Sequence, residues 1–584
     1  MFSDRVRQIQ QAYIIMGLLK NWQRNWLRSR QERKWRLGFW CVAIVCGLIV
    51  ANCQPTNQYI SPSRSDSSNG NTANVGVLVY GSGGQPVNLE PGNFIDGNSA
   101  IAQQQIYDRL IAFKDGTVEL EPSLAESWTG SEDGKVWTFK LLQGVKFHDG
   151  SDFDAAAVKF NVERWWDPQH PQGFRNAGKN YEIWKDLFGG FKGEPESLLK
   201  EVEAVDRNTV KFTLNQAFAA FPTAIASNYF GIASPKAIQQ MGASYGVASN
   251  SDANSIAVGT GAFRLKEWRT GDRIAFVKNP NYWQKDLPKS EQLVMRFVTD
   301  PAARLAQLRA TQLDFTVDLA PDQRAEILSD SNLDVVARPS FNVGYLALNP
   351  SYQPLSNPKV RMAIAQAINR KAIVKAFWGD LGISDSHFLP PSLAWARSSK
   401  LGDYEYNPQK AKQLLAEAGY ANGFDLELWY MPVSRPYFPT PKPIAEAFAA
   451  DLSAVGIRVS LKTKDWAAYL NDRNKAPGFQ SYMMGWTADY GDPDNFYYPH
   501  FAANSTNDLG GWKQERLIQL LDRGRAIADI KERAQVYAEV DEILYREAVR
   551  IPIVHSQPLL AKRKAVTGWI PSPLGVESFA TVAK

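Results

Sequence analysis

The chain has 584 residues, 44% hydrophobic and 21% charged, which is too long for one compact core and too apolar for a disordered protein. Its formal charge of +5 is concentrated at the start, where residues 1–36 hold nine Lys/Arg against Asp4 and Glu32, a net of +7 that leaves −2 for the rest. A near-neutral body lacks the basic face a nucleic-acid partner needs, and with Cys41, Cys46 and Cys53 as the only cysteines it has none for a disulfide or Cys-metal site.

Residues 37–50, LGFWCVAIVCGLIV, are uncharged and follow the basic run Arg28–Arg36. A basic stretch before about 7–15 apolar residues is the pattern of a secretory signal, and a membrane-spanning helix needs roughly 20. The run ends Val50-Ala51-Asn52-Cys53 and resembles a bacterial lipoprotein signal, which implies cleavage before Cys53 and lipidation of that residue. Asn52 stands where a small residue is usual, so an uncleaved anchor and plain secretion remain alternatives, and Met16 is an alternative start. Residues 1–53 are thus expected to be signal or anchor. Residues 54–74, rich in Ser, Asn and Gln, read as a flexible tether.

From Val75 the chain is an α/β mixture without repeats. The turn Glu132-Asp133-Gly134 leads into an alternating strand, Lys135-Val-Trp-Thr-Phe-Lys-Leu-Leu142. A second hairpin is expected from Gly261–Trp268 through Thr270-Gly271 into Arg273–Val277. Asn357-Pro358 opens a predicted helix with Val360, Ile364, Ile368 and Ile373 on one face, and Asn407-Pro408 opens another that Gly419 closes. A third runs from Pro443 to Val455. Extended segments follow these helices, at Asp425–Tyr430 and Ile457–Leu461, so an α/β lobe is expected over 342–556. Ile551–Val554 and the residues beyond it are extended and can return to the first lobe.

No GxSxG elbow, HExxH or GxxxxGK[ST] loop is present, and an exported hydrolase would need a nucleophile-base pair that the sequence does not offer. His148, His170, His387, His500 and His555 share no metal-ligand spacing. The acidic run Asp489-Tyr-Gly-Asp492-Pro-Asp494-Asn495 lacks the Glu and spacing of a calcium loop, and Asx turns account for Asp492 and Asp494. No cofactor or metal is expected. Asp489 stands apart, because it follows the apolar segment Tyr482–Trp486 and so sits at a strand's end.

Several ordered motifs then carry a resemblance. Leu124-Ala-Glu-Ser-Trp128, Gly144-Val-Lys-Phe-His-Asp-Gly150, Gly259-Thr-Gly-Ala-Phe263, Asn279-Pro-Asn-Tyr-Trp283 and Asn357-Pro-Lys-Val-Arg361 together resemble family 5 of the bacterial extracellular solute-binding proteins, the peptide/nickel class. Thr311 departs from it, standing where Gly commonly precedes the acidic-apolar pair. The resemblance implies a two-lobed periplasmic-binding-protein-like fold of type II, cluster C, with a hinged cleft and an extra subdomain in the first lobe. That lobe is expected over 75–341 plus 557–584, and the second over 342–556.

Gly485-Trp486-Thr487-Ala488-Asp489 is similar to the strand along which peptide ligands pair in the dipeptide- and oligopeptide-binding branch, where the Asp receives the α-ammonium. Met431-Pro-Val-Ser-Arg435-Pro-Tyr437 is similar to the segment whose Arg takes the ligand's carboxylate, and Asp96-Gly97-Asn98 to a first-lobe contact. The implied ligand set is therefore Arg435, Asp489, Trp486, Gly485, Thr487, Gly97 and Asn98, with a short peptide as solute. The implied partner is an ABC permease in the cytoplasmic membrane, served by a monomer on its periplasmic side. A nickel complex, haem or another non-peptide solute is the rival within the family.

Overall fold

The computed structural model describes residues 76–584 except 94–95, 249–255, 474, 476, 504, 506 and 508. Cys53 and the signal and tether segments lie outside these residues. Two large sheets organise the described chain. The first has, in spatial order, Leu333–Val336, Leu559–Arg563, Phe315–Leu319, Val77–Ser82, Gln292–Phe297, Arg273–Lys278 and Phe263–Arg269. Its last two strands are the second expected hairpin, turning at Gly271 with φ +78°. The second sheet runs Gly382–Ile383, Arg550–Ser556, Asn342–Leu348, Ser481–Thr487, Asp425–Trp429 and Arg458–Lys462.

Each sheet is the core of one lobe. In the second, every residue of Asn342–Leu348 and Arg550–Ser556 is buried, as expected of central strands covered on both faces. The chain passes between the sheets twice, after Val336 and after Ser556. Both passages are short, as hinge segments are.

A third, four-stranded sheet orders Ala125–Gly130, Val136–Leu141, Thr209–Leu214 and Leu199–Asp206. It contains the first expected hairpin, whose turn is fixed by Gly134 at φ +66° and by Asp133 accepting the Lys135 N–H at 3.1 Å. Buried Glu90 fastens nearby segments, with Arg164, Lys179 and Tyr181 all bonded to its carboxylate.

The helix caps behave as their side chains dictate. Asn357 accepts from the Lys359 N–H and Asn407 from the Lys410 N–H, both at 2.9 Å. The helix after Asn357 is shorter than its apolar face suggests. It spans Pro358–Ala367, and a separate helix runs Arg370–Trp378. Asn369 makes the break: its side chain caps the second helix at Ala372, and its N–H donates to Asp451 at 2.8 Å instead of continuing the first. The third expected helix begins two residues earlier, at Pro441, and ends at Ser453.

Candidate functional site

The strand Ser481–Thr487 leaves the second sheet at Thr487, and two residues later Asp489 faces the first lobe. Asn495, buried in the helix Pro493–Phe501, holds it there. Its side-chain oxygen accepts the Asp489 N–H at 2.9 Å, and its amide nitrogen donates to Asp489 Oδ2 at 3.3 Å. The other carboxylate oxygen accepts from the Tyr229 hydroxyl of the first lobe at 3.1 Å. Burial raises the Asp489 carboxyl to about 6, against the pull of these hydrogen bonds and with help from the Asp186 charge. Burial likewise raises Tyr229 well above its ordinary value, assisted by the charges of Asp489, Asp96 and Asp186. Tyr229 thus feels three carboxylates, one of them bonded to it, and among the described residues no Lys or Arg lies within ion-pair distance of any of the three. Such a place favours an incoming cation.

Trp486 is half-buried and also tied to Asn495, donating its indole N–H at 3.1 Å. Its ring meets His500 edge-on at 4.9 Å. One amide therefore orients both the acid and the aromatic wall. Thr487 is exposed at the strand's end. Gly485 is buried opposite Gly344, and the Tyr437 segment lies flat across the two. A Cβ at Gly485 would come within 2.3 Å of the Tyr437 ring, so this glycine's place is under Tyr437.

Arg435 lies one turn from that anchor. It closes a tight turn with Phe438 through backbone bonds of 3.1 and 2.9 Å, and its side chain is exposed. The guanidinium sits over Trp466 at 5.2 Å and donates to the Ser434 carbonyl at 3.2 Å; no carboxylate pairs with it among the described residues. Arg435 thus stands two residues before the ring that covers Gly485, and Asp489 two residues beyond the strand's end at Thr487.

From the first lobe, Asp96 caps the helix Gly97–Ile106, accepting the Ser99 N–H at 2.9 Å. Gly97 is exposed, with open space where a side chain would stand. Asn98 is held back, its oxygen accepting from Ser82 Oγ at 3.1 Å. The Asp96 charge bears on Tyr229, the residue that bonds Asp489. Tyr229 and Asn495 were invisible as site residues: Tyr229 carries no motif, and Asn495 sits in a run that reads as a turn.

The profile of the bacterial extracellular solute-binding proteins, family 5 Middle, matches residues 119–508. The chain belongs to this family. Its members are the solute-binding components of ABC importers and are periplasmic. The chain is 34% identical over 549 residues to Heme-binding protein A of Haemophilus influenzae, covering 92% of this chain and 97% of that one. It is 35% identical over 517 residues to the Dipeptide-binding protein of Escherichia coli, covering 87% and 94%. Among solved structures, HbpA2 from Haemophilus parasuis matches with a TM-score of 0.77 at 33% identity, over 87% of this chain and 99% of that one. A dipeptide binding protein from Pseudoalteromonas, in complex with Met-Leu, matches with a TM-score of 0.72 at 28% identity, over 87% and 100%.

Two other family motifs meet at one acid. Asp108 gathers the Thr260 hydroxyl (2.8 Å), the Tyr282 hydroxyl (3.1 Å) and the Trp283 indole (2.8 Å), which explains the Asn279–Trp283 motif. Asp492 and Asp494 are each taken up bidentately, by Arg533 (2.7 and 2.9 Å) and by Arg525 (2.9 and 3.0 Å), so neither is available to calcium. No helix among the described residues is long and apolar enough to cross a membrane.

Proposed function

We propose that this protein captures short peptides, dipeptides foremost, and delivers them to an ABC permease, with the lobes 75–341 plus 557–584 and 342–556 closing on the ligand. The observation that carries the reading is Asp489, a desolvated carboxylate between the lobes that no Lys or Arg among the described residues neutralises. A peptide's α-ammonium supplies the missing charge, and Arg435 takes its carboxylate as a planar fork can. Recognition along the strand at 485–487 is then independent of the peptide's side chains. Because the ligand touches both lobes, it favours the closed state. Cys53 tethers the chain to the membrane in this reading, and Cys53→Ser releases it.

A haem-type solute is the second reading, favoured by the similarity to Heme-binding protein A. Calorimetry separates the two. Wild type, Asp489→Asn and Arg435→Ala are titrated with a dipeptide, its N-acetylated and C-amidated forms, and haem. The peptide reading expects wild type to prefer the free dipeptide, and Asp489→Asn to lose that preference over the acetylated form. Equal binding of free and blocked peptides by wild type, or binding of haem alone, defeats it.

A further inference from the structure

Among the described residues of the second lobe, two buried arginines have no anion beside them. Arg473 is 8% exposed and Arg550 3%, and among the described residues neither lies within ion-pair distance of a carboxylate. Arg550 donates to the carbonyls of His500 at 3.2 Å and Asn507 at 2.5 Å, and Arg473 to the side-chain oxygen of the same Asn507 at 2.6 Å. The Nε of both arginines has no partner, nor do the buried hydroxyls of Tyr345 and Tyr482.

The register gathers these groups. Ala347 pairs with Tyr482 on one side and Arg550 on the other, and residues directly opposite share a face of the sheet. A small side chain thus separates two long polar ones, with Tyr345 two residues along the same face. The Arg550 guanidinium lies 5.4 Å from the Tyr345 ring centre, and His500 covers that ring edge-on at 5.9 Å. Arg473 acts electrostatically on both Tyr345 and Tyr482's neighbour Tyr469. His500 adds no charge, since burial and both arginines hold its imidazole well below the ordinary value.

Capping of the helix Pro493–Phe501 is the simplest use for Arg550. A helix end, however, offers about half a negative charge, against two full guanidinium charges removed from water. Among the described residues, backbone and amide oxygens leave the rest uncompensated, and the orphaned donors point to an anion.

We infer that the second lobe holds a buried site for one small monovalent anion, a halide or a short carboxylate, bound by the Nε–H groups of Arg473 and Arg550 and the hydroxyls of Tyr345 and Tyr482. The site underlies the helix that carries Asn495 and His500. Its occupant therefore supports the element that orients Asp489 and Trp486, without touching the ligand cleft.

The test follows thermal unfolding of the full-length chain at constant ionic strength, replacing gluconate, too bulky to enter, with bromide or acetate. Wild type should gain roughly 2 °C or more, saturably, in at least one of the two small anions. A gain in bromide assigns the site to halides, and a gain in acetate alone to carboxylates. The gain should vanish in Arg550→Met and shrink in Tyr482→Phe, the milder variant should the first not fold. Crystals grown with bromide should show anomalous density between Arg473 and Arg550 if halides bind. Equal melting of wild type in all three anions overturns the inference, as does a gain that persists undiminished in both variants.

Discussion

The two ends of the candidate site are built in opposite ways. Asp489 is desolvated, bonded to Asn495 on one side and Tyr229 on the other, and fixed by a backbone bond. Arg435 is exposed on a tight turn, resting on Trp466. The acid end is preorganised and desolvated; the basic end is exposed to solvent. On the peptide reading proposed above, a receptor so built should read the amino terminus strictly and accommodate carboxylates at varied distances, because only the fixed end would set the register. The largest expected effect therefore lies at Asp489. Asp489→Asn should weaken a free dipeptide by about 2–5 kcal/mol, roughly 30- to 3,000-fold, since a desolvated ammonium is left unpaired. Calorimetry against the acetylated peptide should show little change.

Asn495→Ala comes next. It leaves the Asp489 N–H and the Trp486 indole without their shared acceptor. An orphaned donor costs up to about 1–3 kcal/mol of folding stability, so the melting temperature should fall, and dipeptide affinity should fall with it, by less than in Asp489→Asn, because the carboxylate is no longer held in place. The comparison breaks if Asn495→Ala binds like wild type, because the acid end would then need no preorganisation.

Acidity tests the same end without a mutation. The ligand-free Asp489 carboxyl titrates near 6, raised by burial, whereas a bound ammonium favours the ionised form and lowers it. Below about pH 6 binding must expel a proton, so affinity should fall about tenfold per pH unit as pH drops. Above pH 6 it should be flat until the peptide's own ammonium titrates near 8. Isothermal titrations between pH 4 and 8 (the acetylated analogue serving as control) should show the acid limb for the free dipeptide alone.

What could be read from sequence was local. Asn357, Asn407, Gly134 and Gly271 act through their own turn or cap, so their residue types suffice. The break at Asn369 was not legible, because apolar spacing continues through it and the competing acceptor, Asp451, lies 82 residues on. Asp489 was legible as a strand-end acid. Its partner Tyr229 was not, since the two are 260 residues apart and meet only where the lobes do. Gly485 was legible as special, but the reason, the Tyr437 ring lying on it, exists only in the packed structure.

Arg435→Ala should cost less than its chemical role suggests. An exposed ion pair contributes about 0–1 kcal/mol, so at most a fivefold loss is expected, read as a diminished preference for the free over the amidated dipeptide. A loss as large as that of Asp489→Asn would mean that closure buries Arg435, and the contrast between the two ends would then belong to the ligand-free state only.

The smallest effect is a control remote from both ends. Thr311 follows the helix Pro301–Arg309 with φ +60°, while the Gln312 N–H reaches back to the Gln307 carbonyl at 2.9 Å. That is the helix-ending motif whose left-handed position ordinarily takes Gly. A β-branched residue there costs about 1–2 kcal/mol, and Gly returns part of the gain through its greater freedom when unfolded. Thr311→Gly should therefore stabilise by about 0.5–1 kcal/mol, a rise in melting temperature of roughly 1–2 °C, with dipeptide affinity unchanged. If it shifts affinity as well, global stability feeds into binding. The losses at Asn495 and Arg435 would then have to be corrected for stability before the two ends could be compared.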